Sequence, residues 1–472
     1  MLSKGSPNLC VRVWRKIHAK KITEDEFGKA KSFRLFSISR PHMRGFHSSW
    51  FGFFIAFTSW FSIQPLIPTI TKEIGLSRVD IAHSGIASIA ATIFARIGVG
   101  LLCDKFGPRR TMSAILILGS IPLACSGLIR DGTGLLVVRL LVGILGATFI
   151  PCQFWTSAMF NVKIIGTANA MVGGWGNLGG GFTFLLMPAL FELVKMCGAD
   201  EYLAWKIAIV IPAALTLGFD ADDSCCYRNG CAKDNCWLYF TVFVLFVQYG
   251  LCFGVEIAVN TVMNLYFLYR FKDENCTTIS EGRLSLLNLT NITTTPLTLT
   301  HTNECSLLNQ NTASLIASMF GLMNLFARAL GGVFSDILRK FFALPGRLLA
   351  HLVCLVGEGV MLIVFSQMTT IPFAMLVMIV FSLFVQMSEG TTFALVPYLH
   401  PRYIGIISGL IGGGGNACAI IWNTIWVDMV NSDPSRWFWI LGICVLSGSV
   451  LTLLIPIQNK RIWDFRCRNK NI

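Results

Sequence analysis

The sequence predicts an all-α membrane protein with twelve transmembrane helices in two pseudo-symmetric six-helix bundles. Three observations carry that prediction. Of 472 residues, 54% are hydrophobic and only 13% are charged, about half the charge of an average soluble domain. Twelve windows stay apolar over about 20 residues, the length that crosses a bilayer. One unusual string also occurs twice, 232 residues apart: Phe94-Ala95-Arg96 with Gly100 and Asp104, then Phe326-Ala327-Arg328 with Gly332 and Asp336. Each copy lies in an apolar run, so each sets a fixed positive charge inside a membrane helix, at a cost of roughly 2.5 to 3.5 kcal/mol at the helix centre. A duplicated cost points to a site between two repeats, where one arginine from each half meets an anion.

Taken in order, residues 1–48 form a basic tail with eleven Lys or Arg against three acids. The first bundle, 49–219, holds spans at 50–70, 79–103, 111–129, 134–159, 166–194 and 202–219. The sixth is the weakest, because Asp220, Asp222 and Asp223 cut it short. Residues 220–237 link the bundles. The second bundle, 238–457, holds spans at 238–269, 313–336, 347–366, 372–394, 405–429 and 437–457. Its first span is longer than one crossing needs, and a polar loop at 271–312 follows it. Residues 458–472 form a second basic tail, with five cations against Asp464.

The positive-inside rule places both tails in the cytoplasm, as an even number of spans allows. Lys105, Arg109 and Arg110 after the second span agree, as do Arg339, Lys340 and Arg347 after the eighth. A mitochondrial presequence is the rival reading of the first tail, opposed by Glu24-Asp25-Glu26 and by the multi-span body. The net charge of +13 is therefore read as topology and not as nucleic-acid binding.

The sixteen cysteines sort by side of the membrane. Cys225, Cys226, Cys231 and Cys236 crowd the inner link with spacing that fits no zinc template well, so reduced thiols are favoured over a metal site. Cys276 and Cys305 in the outer loop suit a disulfide. The sequons at Asn275, Asn288 and Asn291 are candidates for glycosylation on that face. No nucleophile–base pair, metal-ligand set or phosphate loop is visible, which argues against an enzyme and against a cofactor.

Two glycine runs recur at the fifth helix of each half. One is Gly173-Gly174-Trp175-Gly176-Asn177-Leu178-Gly179; the other is Gly412-Gly413-Gly414-Gly415-Asn416. Glycine costs about 1 kcal/mol against alanine in a helix interior, and close helix packing alone explains it. Packing does not explain why both runs end in asparagine, whose buried amide can contact a small polar ligand or brace an arginine.

The stretch Gly100-Leu101-Leu102-Cys103-Asp104-Lys105-Phe106-Gly107-Pro108-Arg109-Arg110 reads as a tight cytoplasmic turn. It resembles the signature loop of the major facilitator superfamily, and Gly332-Val333-Phe334-Ser335-Asp336 is a degraded second copy. Asp104, Arg109, Arg110 and Asp336 are expected to latch one face closed through cations or a neighbouring helix terminus. A loop that only fixes topology is the plainer alternative.

The resemblance narrows with Phe33-Arg34-Leu35-Phe36-Ser37, Pro41-His42-Met43-Arg44, Cys252-Phe253-Gly254-Val255-Glu256 and Gly321-Leu322-Met323-Asn324-Leu325-Phe326-Ala327-Arg328. Together with the paired glycine–asparagine runs, these look like the nitrate/nitrite porter family of that superfamily, most of all its eukaryotic high-affinity nitrate transporters. The resemblance implies that Arg96 and Arg328 grip the substrate and that Asn177 and Asn416, with Gly173, Gly174, Gly176, Gly179, Gly412 and Gly415, form the two signatures. It further implies that Tyr249, Phe253, Phe149 and Phe57 line the site. Its other implications are a multi-pass plasma-membrane importer of nitrate, with nitrite left open, driven by proton symport. A single-span accessory nitrate-transport protein is the implied partner besides the lipid bilayer. A nitrate/nitrite exchanger and a nitrate sensor of the same fold remain the alternatives.

The chemistry suits that substrate. Nitrate is a planar monoanion, and the planar, permanently charged guanidinium offers it two parallel donors where lysine offers a point charge. An inside-negative potential opposes anion entry by about 2.3 kcal/mol per charge per 100 mV, so accumulation needs a driving ion. Glu256 and Glu389 are the leading candidates for proton coupling, ahead of Glu358; a satisfied structural carboxylate is the plain alternative for each.

Overall fold

The computed structural model describes residues 22–219, 237–271, 306–308, 310–429, 433–458 and 460–464. Cys225, Cys226, Cys231, Cys236, Asn275, Cys276, Asn288, Asn291 and Cys305 lie outside the described residues. Among the described residues, ten helical segments are long and apolar enough to cross a membrane. One of them, the 52-residue rod Leu315–Ser366, is divided at Ala343, whose φ of 55° and ψ of −139° are not helical. A 17-residue apolar helix, Glu201–Leu217, stands between the fifth and seventh spans. With these, the twelve expected places are filled.

In chain order the spans are α1 His42–Phe61, α2 Arg78–Phe106, α3 Pro108–Ala124, α4 Gly132–Met159, α5 Ile165–Met196 and α6 Glu201–Leu217. The second set is α7 Leu238–Arg270, α8 310–342, α9 344–366, α10 Ile371–Leu395, α11 Ile404–Met429 and α12 Pro434–Val450. Local chemistry sets several starts. Ser77 and Asp80 form a reciprocal capping box at α2, and Asp131, Asp200 and Asp433 cap α4, α6 and α12. The long α7, at 33 residues, spans about 50 Å.

Two boundaries differ from the sequence reading. The expected α2–α3 turn is a single residue, Gly107 at φ 83°, followed by Pro108 at the first helical position. Asp104 and Lys105 therefore end α2, while Arg109 and Arg110 begin α3. Glycine tolerates the positive φ and proline suits a helix start, so one residue suffices. The eighth span also differs. It runs on to Phe342 through the expected loop, and it is interrupted by a 3₁₀ turn, Met323–Leu325, and by Phe326 at φ −133°. Trp175 Nε1 of α5 donates to the Leu325 carbonyl at 3.0 Å, so this break is braced from the other bundle.

The bundles meet along two related seams, α2 against α11 and α8 against α5. The repeated string explains both. Arginine, glycine and aspartate spaced by four residues lie on one face of a helix, about one turn apart. At the middle position a Cβ on Gly100 would fall 2.6 Å from the Gly405 carbonyl oxygen, and one on Gly332 would overlap the carbonyl oxygen of Gly166. Only glycine admits that approach. At the third position Asp104 accepts from the backbone N–H groups of Gly405 and Ile406, each at 2.9 Å. Asp336 accepts from the N–H of Gly166 at 3.2 Å and of Thr167 at 2.8 Å. Each aspartate thus caps the free N-terminal amides of a helix in the opposite bundle, where the helix dipole favours negative charge.

The second seam carries a cation as well. Arg347 Nη2 donates to Asp336 at 2.5 Å and to the Val162 carbonyl at 2.9 Å, and Tyr398 shares that carbonyl. Arg110 is exposed and Arg109 half-buried at the start of α3. From below, the segment before α1 joins the same α4–α5 turn: Ala30 N–H donates to Met159 and Asn161 N–H donates to Ala30.

Replacing Asp104 by alanine is expected to expose the amides of Gly405 and Ile406. The loss of a cap, about 1 kcal/mol, corresponds to roughly fivefold faster hydrogen exchange there. Gly166 and Thr167 should stay protected, and Asp336→Ala should give the converse. Equal protection in both variants, measured by hydrogen–deuterium exchange, would refute the cross-bundle caps.

Candidate functional site

Arg96 stands mid-way along α2, and Arg328 lies in the first turn after the break in α8; both are buried. Arg96 Nε donates to the Gly146 carbonyl at 3.1 Å, and its Nη1 donates to the Gly412 carbonyl at 2.5 Å. Gly146 belongs to a 3₁₀ stretch, Gly143–Thr148, that interrupts α4. Arg328 Nη2 donates to the Tyr249 hydroxyl at 3.1 Å and is ion-paired with Glu389 of α10, without the aligned geometry of a hydrogen bond. One nitrogen of each guanidinium, Arg96 Nη2 and Arg328 Nη1, is buried with no partner among the described residues.

The two arginines converge on the same rings. The Arg96 guanidinium carbon is 5.3 Å from the Phe149 centroid and 5.2 Å from that of Phe253; the Arg328 carbon is 5.8 Å from each. Tyr249 and Phe253, one turn apart on α7, stack at 5.1 Å, and Phe149 of α4 lies nearly parallel to both. Phe393 of α10 meets Phe149 edge-on at 4.7 Å. The rings exclude water and offer their faces to the cations.

Of the signature glycines, Gly173, Gly174 and Gly412 sit at these arginines. A Cβ on Gly412 would lie 3.4 Å from Arg96 Nη1, and one on Gly173 would lie 3.4 Å from Arg328 Nε. Gly174 faces the Asn324 carbonyl, Gly176 and Gly415 face Phe53 and Phe253, and Gly179 faces the Phe54 carbonyl. The asparagines differ from one another. Both amide atoms of Asn416 are buried without a partner among the described residues, one helical turn beyond Gly412. Asn177 instead donates to Glu256 of α7, at 3.1 and 3.3 Å to its two oxygens, and Asn324 donates to the same carboxylate. Phe57 stands off from the arginines, packed on Phe53, Trp60 and Phe61; Phe53 is the α1 ring that meets Phe149, at 5.6 Å.

Sequence reasoning missed Glu389 as the partner of Arg328, Asn324 as a support of Glu256, and the rings of Phe53 and Phe393. It also missed the two carbonyls that hold Arg96. One signal for the first was present. Away from span ends, all three intramembrane acids, Glu256, Glu358 and Glu389, fall in the second half, which also supplies Arg328. All three carboxylates are buried at no more than 2% exposure. A buried charge without a counter-charge is costly, so an arginine and an acid in neighbouring spans are expected partners.

A family model for the Major Facilitator Superfamily matches residues 49–219. High affinity nitrate transporter 2.5 of Arabidopsis thaliana is 35% identical over 451 residues, covering 91% of this chain and 83% of the relative. High-affinity nitrate transporter 2.3 of Oryza sativa subsp. japonica is 34% identical over 448 residues, covering 90% and 80%. Among solved structures, the proton:xylose symporter XylE superposes with a TM-score of 0.61 at 14% identity, over 88% of this chain and 95% of that one, a likeness of fold. A multi-pass helical body with arginines from both bundles on one aromatic cluster, and relatives of this similarity over most of its length, establish that the chain belongs to the nitrate/nitrite porter family of the Major Facilitator Superfamily.

Proposed function

We propose that this transporter imports nitrate across the plasma membrane by proton symport, with both termini cytoplasmic, by alternating access around Arg96 and Arg328. The observation that carries the reading is the pair of unpartnered guanidinium nitrogens beside one aromatic cluster. With Asn416 Nδ2, also unpartnered among the described residues, they are the donors proposed to meet the oxygens of a planar monoanion. The rings add no further donors except the Tyr249 hydroxyl, which disfavours the larger, more highly charged sulfate and phosphate. The bundles 49–219 and 238–457 would rock about this site, with the aspartate-capped seams closing one face.

Relatives that carry nitrate in their names support the substrate. Coupling to protons rests on energetics, since an anion must otherwise climb the membrane potential. Glu389, ion-paired with Arg328, and Glu256, which accepts from Asn177 and Asn324, are the groups proposed to carry it.

Arg96→Lys and Arg328→Lys are each expected to cut nitrate uptake by roughly tenfold or more, as a planar donor fork becomes a point charge. Surface expression should be unchanged. Oocytes expressing the chain, with and without a single-span accessory protein, provide the assay; wild-type uptake in either variant would sink the two-arginine clamp.

Symport should also acidify the cytosol when nitrate is added at low external pH, with inward current wherever more than one proton accompanies each nitrate. Uptake that instead requires preloaded nitrite would identify an exchanger. Binding without uptake would identify a sensor.

A further inference from the structure

The symmetry of the two arginines fails at their partners. Arg96 is held by neutral backbone carbonyls, whereas Arg328 faces a carboxylate, Glu389, and both members of that pair are buried to 1% exposure or less. We propose that Glu389 is an internal counter-anion, holding Arg328 until it is protonated, and that nitrate then takes its place, so that proton and nitrate bind together. This rests on the nitrate-symport reading above and names the device that couples the two ions.

A carboxylate and a nitrate are both planar oxyanions with equivalent oxygens, and a guanidinium engaged by one has fewer donors for the other. Glu389 is therefore placed as a built-in competitor of the substrate. The groups around it decide what happens on displacement. Glu256 and Tyr249 of α7, Cys252 of α7, Glu358 of α9, Arg328 of α8 and Arg96 of α2 all act on it or on its partner. His351 of α9 is bonded to Thr391 and Gln248, one step along α10. Two cations thus face two carboxylates, Glu256 and Glu389, before any substrate enters. A further negative charge in a dry interior is costly without a proton.

Glu389 is the acid whose protonation releases a nitrate donor. Glu256 accepts instead from two amides, Asn177 and Asn324. Glu358 makes no ion pair with either arginine among the described residues, so a proton there opens no pair for nitrate. Glu389 is ion-paired with Arg328, and among the described residues its oxygens accept from no amide or hydroxyl. The step balances simply. One proton from the outer solution joins a Glu389 oxygen, the ion pair opens, and one nitrate oxygen accepts from Arg328. No covalent bond of nitrate changes and no electron moves.

The sign follows from linkage. A bound state that holds one more proton is favoured by acid, so nitrate affinity should fall as pH rises, by up to about tenfold per unit. Calorimetric titration of the purified full-length protein with potassium nitrate, between pH 5.5 and 8 in buffers of different ionisation enthalpy, reads both the affinity and the protons taken up. Wild type is expected to take up close to one proton per nitrate from the buffer, at Glu389. Glu389→Gln should bind nitrate with pH-independent affinity and no uptake of protons; in vesicles it should exchange labelled nitrate yet fail to accumulate it on a proton gradient. An unchanged pH slope in folded Glu389→Gln, or its failure to bind nitrate, overturns the proposal. So does wild-type binding without proton uptake, which needs no variant to fold. A folded wild type that binds no nitrate at any pH would instead overturn the substrate itself.

Discussion

Placing two permanent cations in the middle of a membrane is the constraint around which this structure is organised. Neither guanidinium can be neutralised by losing its proton, so each must be met by dipoles, rings or an opposite charge. Irregular backbone supplies part of the answer. The 3₁₀ stretch in α4 presents the Gly146 carbonyl to Arg96, and the broken α8 sets Arg328 at the start of a new helical turn. Such interruptions are tolerated at membrane depth only where protein covers them, as both bundles do here. The aromatic cluster of Phe149, Tyr249 and Phe253 lies against both cations, and the glycine runs let the neighbouring helices come close enough to complete the enclosure.

The same two seams hold the site and the closure. Along α2, Arg96 meets Gly412 and, two turns on, Asp104 meets Gly405 and Ile406; both contacts are to α11. Along α8, Arg328 lies against Gly173, while Asp336 caps Gly166 and Thr167 of α5. A ligand that redirects an arginine nitrogen therefore acts on the helix pair that its aspartate secures. In the proposed alternating-access cycle no separate relay is needed between the centre and the gate, because both are rungs of one ladder.

Much of this was legible in the sequence because the membrane makes its demands in plain composition. Span lengths, the duplicated arginine string and the glycine–asparagine runs are each expensive or improbable without a reason, and the structure gives the glycines and arginines a common address. What escaped was relational. Nothing local distinguishes the role of Asn177, which supports Glu256, from that of Asn416, whose amide is unpartnered, since the difference lies in which α7 or α2 residue stands opposite. Phe57 and Phe53 are one turn apart on α1, and only packing decides which ring reaches Phe149. The turn after α2 was overestimated because a charged string looks like a loop, although one glycine with positive φ reverses the chain. The break in α8 left no mark either, for Met323-Asn324-Leu325 contains neither glycine nor proline.

The aspartate caps have a further implication for how the gate works. When the seams part, the backbone amides of Gly405, Ile406, Gly166 and Thr167 lose the carboxylates that satisfy them. In a low-dielectric setting such donors must find water at once. In the proposed cycle, opening is thus a wetting event as much as a hinge motion, and solutes too large to enter the crevice should bias the carrier toward its shut form by withholding the solvent that the freed helix ends require.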